Sequence, residues 1–293
     1  MQDLDVLAAD PAAAPLRIAG HRVGRIGYGA ALRVGGETGR PGRFPDPAAA
    51  RGLLRRAVAL GATLLDTADS YGPGLSEELI AEALHPYPPE LLVATKGGVV
   101  READGTRARL DGRPAQLRAA CENSLRRLRL EAIGLYQLHW RDPAVPFADQ
   151  LGALAELLAA GKVRAVGLCN LGLAELEAAE AVLPVAAVQC HLSLGYAGSD
   201  ALLDRCAARG IPFIAHGPLA VLRGGAEPRA EALGRVARRL DATPAQVALA
   251  WVLHRAPNVV AIPGTLRPDH LEENFRAGTL ALSARDLAEL AAA

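Results

Sequence analysis

Short apolar runs alternate along this chain with stretches whose apolar residues recur every three or four positions. The runs fall at 26–30, 63–66, 91–95, 133–138, 163–168, 185–189, 211–215 and 258–262. Each has the length of a buried strand. The stretches between them read as helices. In 114–130, for example, Leu117, Cys121, Leu125 and Leu128 share one face. The same spacing predicts helices after Asp46 and at 76–84, 147–160, 172–182, 200–209, 229–240, 244–255 and 268–276, with a last one starting at Ser283. Boundary residues agree with these limits. Asp46-Pro47 is an N-cap followed by proline at the first helical position. Gly61 stops the helix that follows, and Thr243-Pro244-Ala245-Gln246 is a capping box.

Eight strands, each followed by helix, predict an α/β chain folded as a single-domain (β/α)8 TIM barrel. A doubly wound open sheet would want GxGxxG after its first strand. Gly27-Tyr28-Gly29-Ala30-Ala31-Leu32 lacks the third glycine. No linker-like stretch divides the 293 residues. Residues 1–20 lack periodicity and read as an irregular lead-in. The Gly/Pro-rich stretch 35–45 reads as a loop of the kind that often carries function.

Composition narrows the partners. Lys+Arg and Asp+Glu balance at 32 each, which gives no support for a nucleic-acid partner. No apolar run approaches a membrane span. The acidic start, Met1-Gln2-Asp3-Leu4-Asp5, has no basic n-region or h-region, and a cytoplasmic location is expected. Cys121, Cys169, Cys190 and Cys206 show no CxxC spacing and read as free thiols. With the histidines they make no recognisable zinc pattern, so no metal is expected. The abundance of Ala, Arg and Gly hints at a GC-rich bacterial source.

In a barrel of this kind the chemistry sits at the C-terminal ends of the strands. Four reactive side chains fall there: Asp66, Tyr71 just beyond it, Lys96 and His139. Their types suit carbonyl reduction. As hydride reaches the carbonyl carbon, charge develops on oxygen and a proton must arrive. A tyrosine can give it, although an unperturbed phenol is a weak acid. A lysine ammonium nearby favours the phenolate, an aspartate holds that lysine, and a histidine hydrogen-bonds the oxygen. Each residue alone has a plainer reading: a turn aspartate, a packed loop tyrosine, a solvated lysine, a core histidine. Their joint placement at matching strand ends favours chemistry.

The chain resembles the aldo-keto reductases over nearly its whole length. The stretches that carry the resemblance are LLDTADSYG (64–72), ATKGG (94–98), LYQLHW (135–140), VRAVGLCNL (163–171), VAAVQC (185–190), TPAQVALAWVL (243–253) and IPGTLRPDHLEEN (262–274). The start GRIGYGA and the last stretch look most like a bacterial subgroup that includes pyridoxal reductases. The resemblance implies an NAD(P)H-dependent reductase with Asp66, Tyr71, Lys96 and His139 as its tetrad. It also implies cofactor contacts. Asn170 and Gln189 match the pair that hydrogen-bonds the nicotinamide carboxamide, and His216 stands where a stacking tyrosine is usual. Gly217, Pro218 and Leu219 match the pyrophosphate loop. Gly264, Thr265, Arg267 and His270 match the surroundings of the adenosine 2′-phosphate, and Glu273 and Asn274 the adenine end. Many relatives have Lys at 264 and Arg at 270. Arg267 can offer a phosphate its guanidinium fork, which favours NADPH over NADH. Cys169 replaces a usual serine.

The competing function is a non-catalytic NADPH-binding regulatory module of the same fold. The expected partner is a small-molecule carbonyl substrate, and the chain is expected to be a monomer or weak homo-oligomer. Tyr28, Phe44 and Trp140 are candidate substrate contacts or packing aromatics. The loops offer few aromatics, which favours a small or polar substrate over a steroid.

Overall fold

The strand Leu64–Asp66 (β2) is buried at every residue, yet its side chains have two destinations. Leu65 packs outward with Leu53, Leu54, Leu79 and Ile80 of the first two helices, whereas Leu64 joins an inner cluster with Leu92, Leu135, Ile214 and Val260. This two-residue alternation recurs along the strands, apart from a register shift between Val185 and Ala187, and sets which groups can reach the site. The computed structural model describes residues 16–31, 46–101, 107–223 and 227–293.

The strands are β1 (Tyr28–Gly29), β2, β3 (Leu92–Gly97), β4 (Leu135–Leu138), β5 (Val166–Cys169), β6 (Val185–His191), β7 (Phe213–His216) and β8 (Val259–Ala261). They pair in parallel and in chain order. The ends of this sheet meet through a parallel bridge between Ile26 and Ala261. Gly27 N donates to Ala261 O (2.9 Å) and Ala261 N to Arg25 O (2.9 Å), so the barrel closes. Only glycine fits at the seam: a Cβ on Gly29 would lie 2.7 Å from Ile262 O, and one on Gly264 would lie 2.8 Å from Gly29 O. Arg25, 4% exposed, staples the seam by donating to the carbonyls of Val259 (2.5 Å), Leu253 (2.9 Å) and Ala256 (3.0 Å).

Helices α1 (Pro47–Ala59), α2 (Leu75–Leu84), α3 (Pro114–Leu128), α4 (Phe147–Ala159), α5 (Leu173–Glu180), α6 (Asp200–Arg209), α7 (Glu227–Arg239), α8 (Pro244–His254), α9 (Pro268–Arg276) and α10 (Ala284–Ala291) cover the barrel. The caps of α1 and α8 are those the sequence signals. Asp46 accepts from Ala49 N (2.9 Å), and Thr243 and Gln246 cap each other reciprocally. Each such cap stabilises its helix by about 1 kcal/mol. No described helix is long and apolar enough to cross a membrane. The four cysteines are free thiols.

Two hairpins depart from the sequence reading. Within the expected irregular lead-in, Leu16–Ile18 pairs antiparallel with His21–Val23, and Ile18 and Val23 plug the N-terminal end of the inner core. Ala19 and Gly20 turn the chain at φ +51° and +82°, both in the left-handed region that a two-residue hairpin turn requires. Alanine is a weak signal for that conformation, so the sequence did not mark the turn. Between β3 and α3, Val99–Arg101 pairs with Ala108–Leu110, in a stretch where the sequence reading placed neither strand nor helix. β3 also runs to Gly97, so Lys96 lies inside the strand rather than after it.

Candidate active site

Alternation carries Asp66, Lys96, Gln137, Cys169 and Gln189 to the inner face, one layer above the apolar plug. Asp66, 2% exposed, is the hub. It accepts from Lys96 Nζ, from Gln137 Nε2 (3.0 Å) and from Gln189 Nε2 (2.7 Å). Gln189 Nε2 also donates to Gln137 Oε1 (3.2 Å), and the Cys169 thiol donates to the same oxygen (3.5 Å). Lys96, 1% exposed, donates in addition to Thr67 O (2.9 Å). A buried ion pair persists when its remaining lone pairs and protons are hydrogen-bonded, and Asp66 meets that condition with two strand glutamines.

The electrostatics follow from this arrangement. Burial works against the Lys96 ammonium, but Asp66, with Tyr71 and Cys169 after it, raises its pKa above the ordinary lysine value. The ammonium lies 5.5 Å from the centroid of the Tyr71 ring. Tyr71 meets the His139 ring edge to face, with centroids 5.9 Å apart. Burial first, then the charge of Lys96, His216 and Arg101, pushes His139 down to about 3. The imidazole is therefore neutral near pH 7. Its Nδ1 is buried and has no hydrogen-bond partner among the described residues. The tetrad expected from the sequence thus converges on one mouth of the barrel.

The residues expected to hold the nicotinamide adjoin this hub. Asn170 adopts φ +54°, a left-handed conformation that asparagine tolerates better than most residues. From there its Nδ2 donates to His139 O (3.0 Å), and its Oδ1 pairs with His216 Nε2 (2.8 Å). Burial, then His191 and Lys96, lowers the His216 pKa to about 4 against the pull of Asp66, so this ring is also neutral. Gly217, Pro218 and Leu219 continue directly from β7. A Cβ on Gly217 would meet His191 Nδ1 at 2.7 Å, which brings that loop against His191. His191 pairs with Ser193 Oγ (3.0 Å), and its ring lies 5.5 Å from that of His216.

The segment 264–274 follows β8 and flanks the seam. Arg267, expected to offer its fork to a phosphate, forms a bidentate ion pair with Asp269 in this structure. Both are exposed, and such a pair contributes little, so the guanidinium exchanges partners readily. Gly264 and His270 are exposed, Thr265 and Glu273 are half-buried, and Asn274 is buried.

Among the aromatic candidates, Trp140 lines a cavity of about 320 Å³ together with Tyr71 and His139. Tyr28 does not line it. It is 1% exposed, packs in the core under α1 and α2, and its hydroxyl donates to Thr265 O (2.7 Å). Tyr28 fastens β1 to the segment after β8, and its place as a substrate contact is corrected to a packing role. Phe44 lies outside the described residues. A larger concavity of about 660 Å³ lies at the opposite, N-terminal face between the first hairpin and Arg164, away from the converging groups.

Four residues of this mouth carried no functional reading from sequence: Gln137, His191, Arg101 and Arg109. Gln137 and His191 were findable. They lie two positions before His139 and two after Gln189, and therefore on the same inner face. The two arginines sit on the hairpin that the sequence did not show.

The neutral histidines, the buried amides and the unpartnered His139 nitrogen suit a polar, planar ligand, as a nicotinamide is. The chain is an NAD(P)H-dependent oxidoreductase, built as a closed eight-stranded barrel with Asp66, Tyr71, Lys96 and His139 gathered at its C-terminal mouth. The chain belongs to the aldo/keto reductase family, whose model matches residues 25–293. It is 40% identical to an uncharacterized oxidoreductase of Schizosaccharomyces pombe over 268 residues, 92% of this chain and 86% of that one. It is 36% identical to pyridoxine 4-dehydrogenase of Escherichia coli over 278 residues, 92% of this chain and 94% of the relative. An aldo-keto reductase from Klebsiella pneumoniae, solved in complex with NADPH, superposes with a TM-score of 0.80 at 28% identity, covering 94% of this chain and 93% of that one.

Proposed function

We propose that this chain reduces a small aldehyde or ketone to the alcohol with NADPH, and that Tyr71 gives the proton. The observation that carries the reading is the buried Lys96 ammonium, fastened to Asp66 and held 5.5 Å from the Tyr71 ring. Bound NADPH supplies a hydride to the carbonyl carbon. Tyr71 protonates the carbonyl oxygen as charge develops there, and Lys96 favours the phenolate that Tyr71 becomes. Asp66, with Gln137 and Gln189, keeps Lys96 charged and fixed. His139 is neutral and donates a hydrogen bond to the oxygen without competing for the proton. Asn170, Gln189 and His216 would hold the nicotinamide, the two amides offering donor and acceptor to its carboxamide. Arg267 would exchange Asp269 for the 2′-phosphate, which supports NADPH over NADH. The solved Klebsiella pneumoniae relative with NADPH bound is consistent with that preference.

The test follows NADPH oxidation against pyridoxal, glyoxals and aromatic aldehydes, the first of these prompted by the Escherichia coli relative. Tyr71→Phe is expected to lower kcat by about 10²–10⁴ while NADPH still binds. Undiminished turnover in that variant removes Tyr71 as the acid. Cofactor binding with no turnover of any aldehyde favours the regulatory-module reading.

A further inference from the structure

The cavity beside Tyr71 and His139 is roofed by the hairpin of Val99–Arg101 and Ala108–Leu110. Its register pairs Val99 with Leu110 and Arg101 with Ala108. Alternate residues of a strand share a face, so Val99 and Arg101 point the same way, with Leu110 and Ala108 opposite them. All four line the cavity. Its inner end therefore carries Tyr71 and His139, its wall carries Val99, Leu110 and Trp140, and its outer end carries Arg101.

Arg109 borders the same space, but it alternates with Ala108 and Leu110, so its guanidinium turns to the hairpin's other face. It is fixed by Asp111, which is 2% exposed and accepts from Arg109 (2.7 Å) and twice from Arg113 (2.7 Å each). Two guanidinium groups on one carboxylate leave this trio positive. Among the described residues that line the cavity, none is acidic. Low-dielectric walls of one charge sign raise the local concentration of the opposite ion.

We infer that the carbonyl substrate carries an anionic oxygen group, a carboxylate or a phosphate, which Arg101 binds at the hairpin while the carbonyl meets Tyr71. This rests on reading the same cavity as the carbonyl site and adds a substrate class to it. The volume, near the lower end of ordinary ligand pockets of about 300–1,000 Å³, limits the body between the two groups to a short chain or one ring. The field of Arg101 already reaches the inner end, since it contributes to keeping His139 neutral. The apolar wall accounts for the body of such a molecule, and the guanidinium for its far end.

Matched aldehydes test this: benzaldehyde against 4-carboxybenzaldehyde, and pyridoxal against pyridoxal 5′-phosphate. The anionic member of at least one pair is expected to have the higher kcat/KM, by about tenfold, chiefly through KM. The pair that shows the preference tells carboxylate from phosphate. In Arg101→Gln the ratio falls toward one, in Arg101→Lys most of it survives, and added salt reduces it in the wild type. Equal kcat/KM within both pairs, or a ratio that Arg101→Gln leaves in place, overturns the inference while the reductase assignment stands. If no aldehyde turns over, the reductase assignment fails, and binding of benzoate against benzamide, followed by tryptophan fluorescence, decides the anion site. Benzoate binding that Arg101→Gln weakens upholds it; equal binding of the two overturns it.

Discussion

Replacing Asp66 by Asn keeps the shape of the hub and removes its charge. The Lys96 ammonium, 1% exposed, then keeps only neutral acceptors, the amide oxygen of the variant and Thr67 O, and loses its counter-charge. The new amide also turns an N–H toward Gln137 or Gln189, both of which donate to Asp66 in the wild type. Breaking a buried pair from one side costs about 3–5 kcal/mol, because the desolvation of the surviving charge is no longer offset. That is a large share of the ~5–15 kcal/mol that stabilises a typical domain. With an m value of about 3 kcal/mol/M, the urea midpoint drops by roughly 1–2 M. Lys96→Met strands the carboxylate instead and is costly for the same reason. The double variant removes both charges and is expected to be more stable than the sum of the two single losses, by at least about 1 kcal/mol. Urea unfolding followed by circular dichroism measures all four corners of the cycle. Additive losses, or an Asp66→Asn loss below about 1 kcal/mol, refute the view that the pair is desolvated and mutually required.

Two pH effects of opposite sign and one seam variant extend the same reasoning. His139 titrates near 3 when folded and near 6.5 when unfolded, so only the unfolded chain takes up its proton between those values. Stability from this group is present above about pH 6.5 and falls as the pH drops through that window, and His139→Gln should lessen the loss of Tm between pH 7 and 5. Asp69 is the reverse: burial first, then Glu77, raises it to about 8, and its Oδ1 has no hydrogen-bond partner among the described residues. Its protonated form is kept by the fold, stability falls as pH rises toward 8, and Asp69→Asn should flatten Tm between pH 6.5 and 8. An unchanged slope in either variant contradicts its assignment. Gly29→Ala puts a Cβ 2.7 Å from Ile262 O and should destabilise by about 1–3 kcal/mol in thermal unfolding, whereas an unchanged Tm would mean the seam relaxes freely.

The barrel was legible because the apolar runs recur eight times with helical spacing between them, and some helices begin at recognisable caps, as at Asp46, Thr243 and Ser283. Asp66 and His139 stood out because each breaks the apolar run before it. Gln137 did not, since one glutamine inside Leu135-Tyr136-Gln137-Leu138 reads as barrel wall until the two-residue alternation is carried across from Asp66. Tyr28 misled in the opposite way. A strand-end aromatic beside two glycines resembles a pocket residue, but those glycines admit a backbone crossing, and the ring fills the core beneath it. The hairpin bearing Arg101 and Arg109 was hidden because its strands are three residues each and one is wholly exposed, with no hydrophobic period to read.

Arg25 and the Ile26–Ala261 bridge set an order of events for the chain as it is made. Arg25 reaches Val259 across 234 residues of sequence. At ~5–20 residues per second of synthesis, the two are born roughly 10–50 s apart. Throughout that interval β1 has no neighbour on its β8 side, and an unpaired strand edge invites pairing with other chains. The tetrad is translated in the first half of the protein, but its mouth has a wall on every side only when β8 arrives. Activity therefore belongs to a nearly finished polypeptide, and a nascent chain stalled before Val259 has the reactive side chains without the closed barrel that makes them a site.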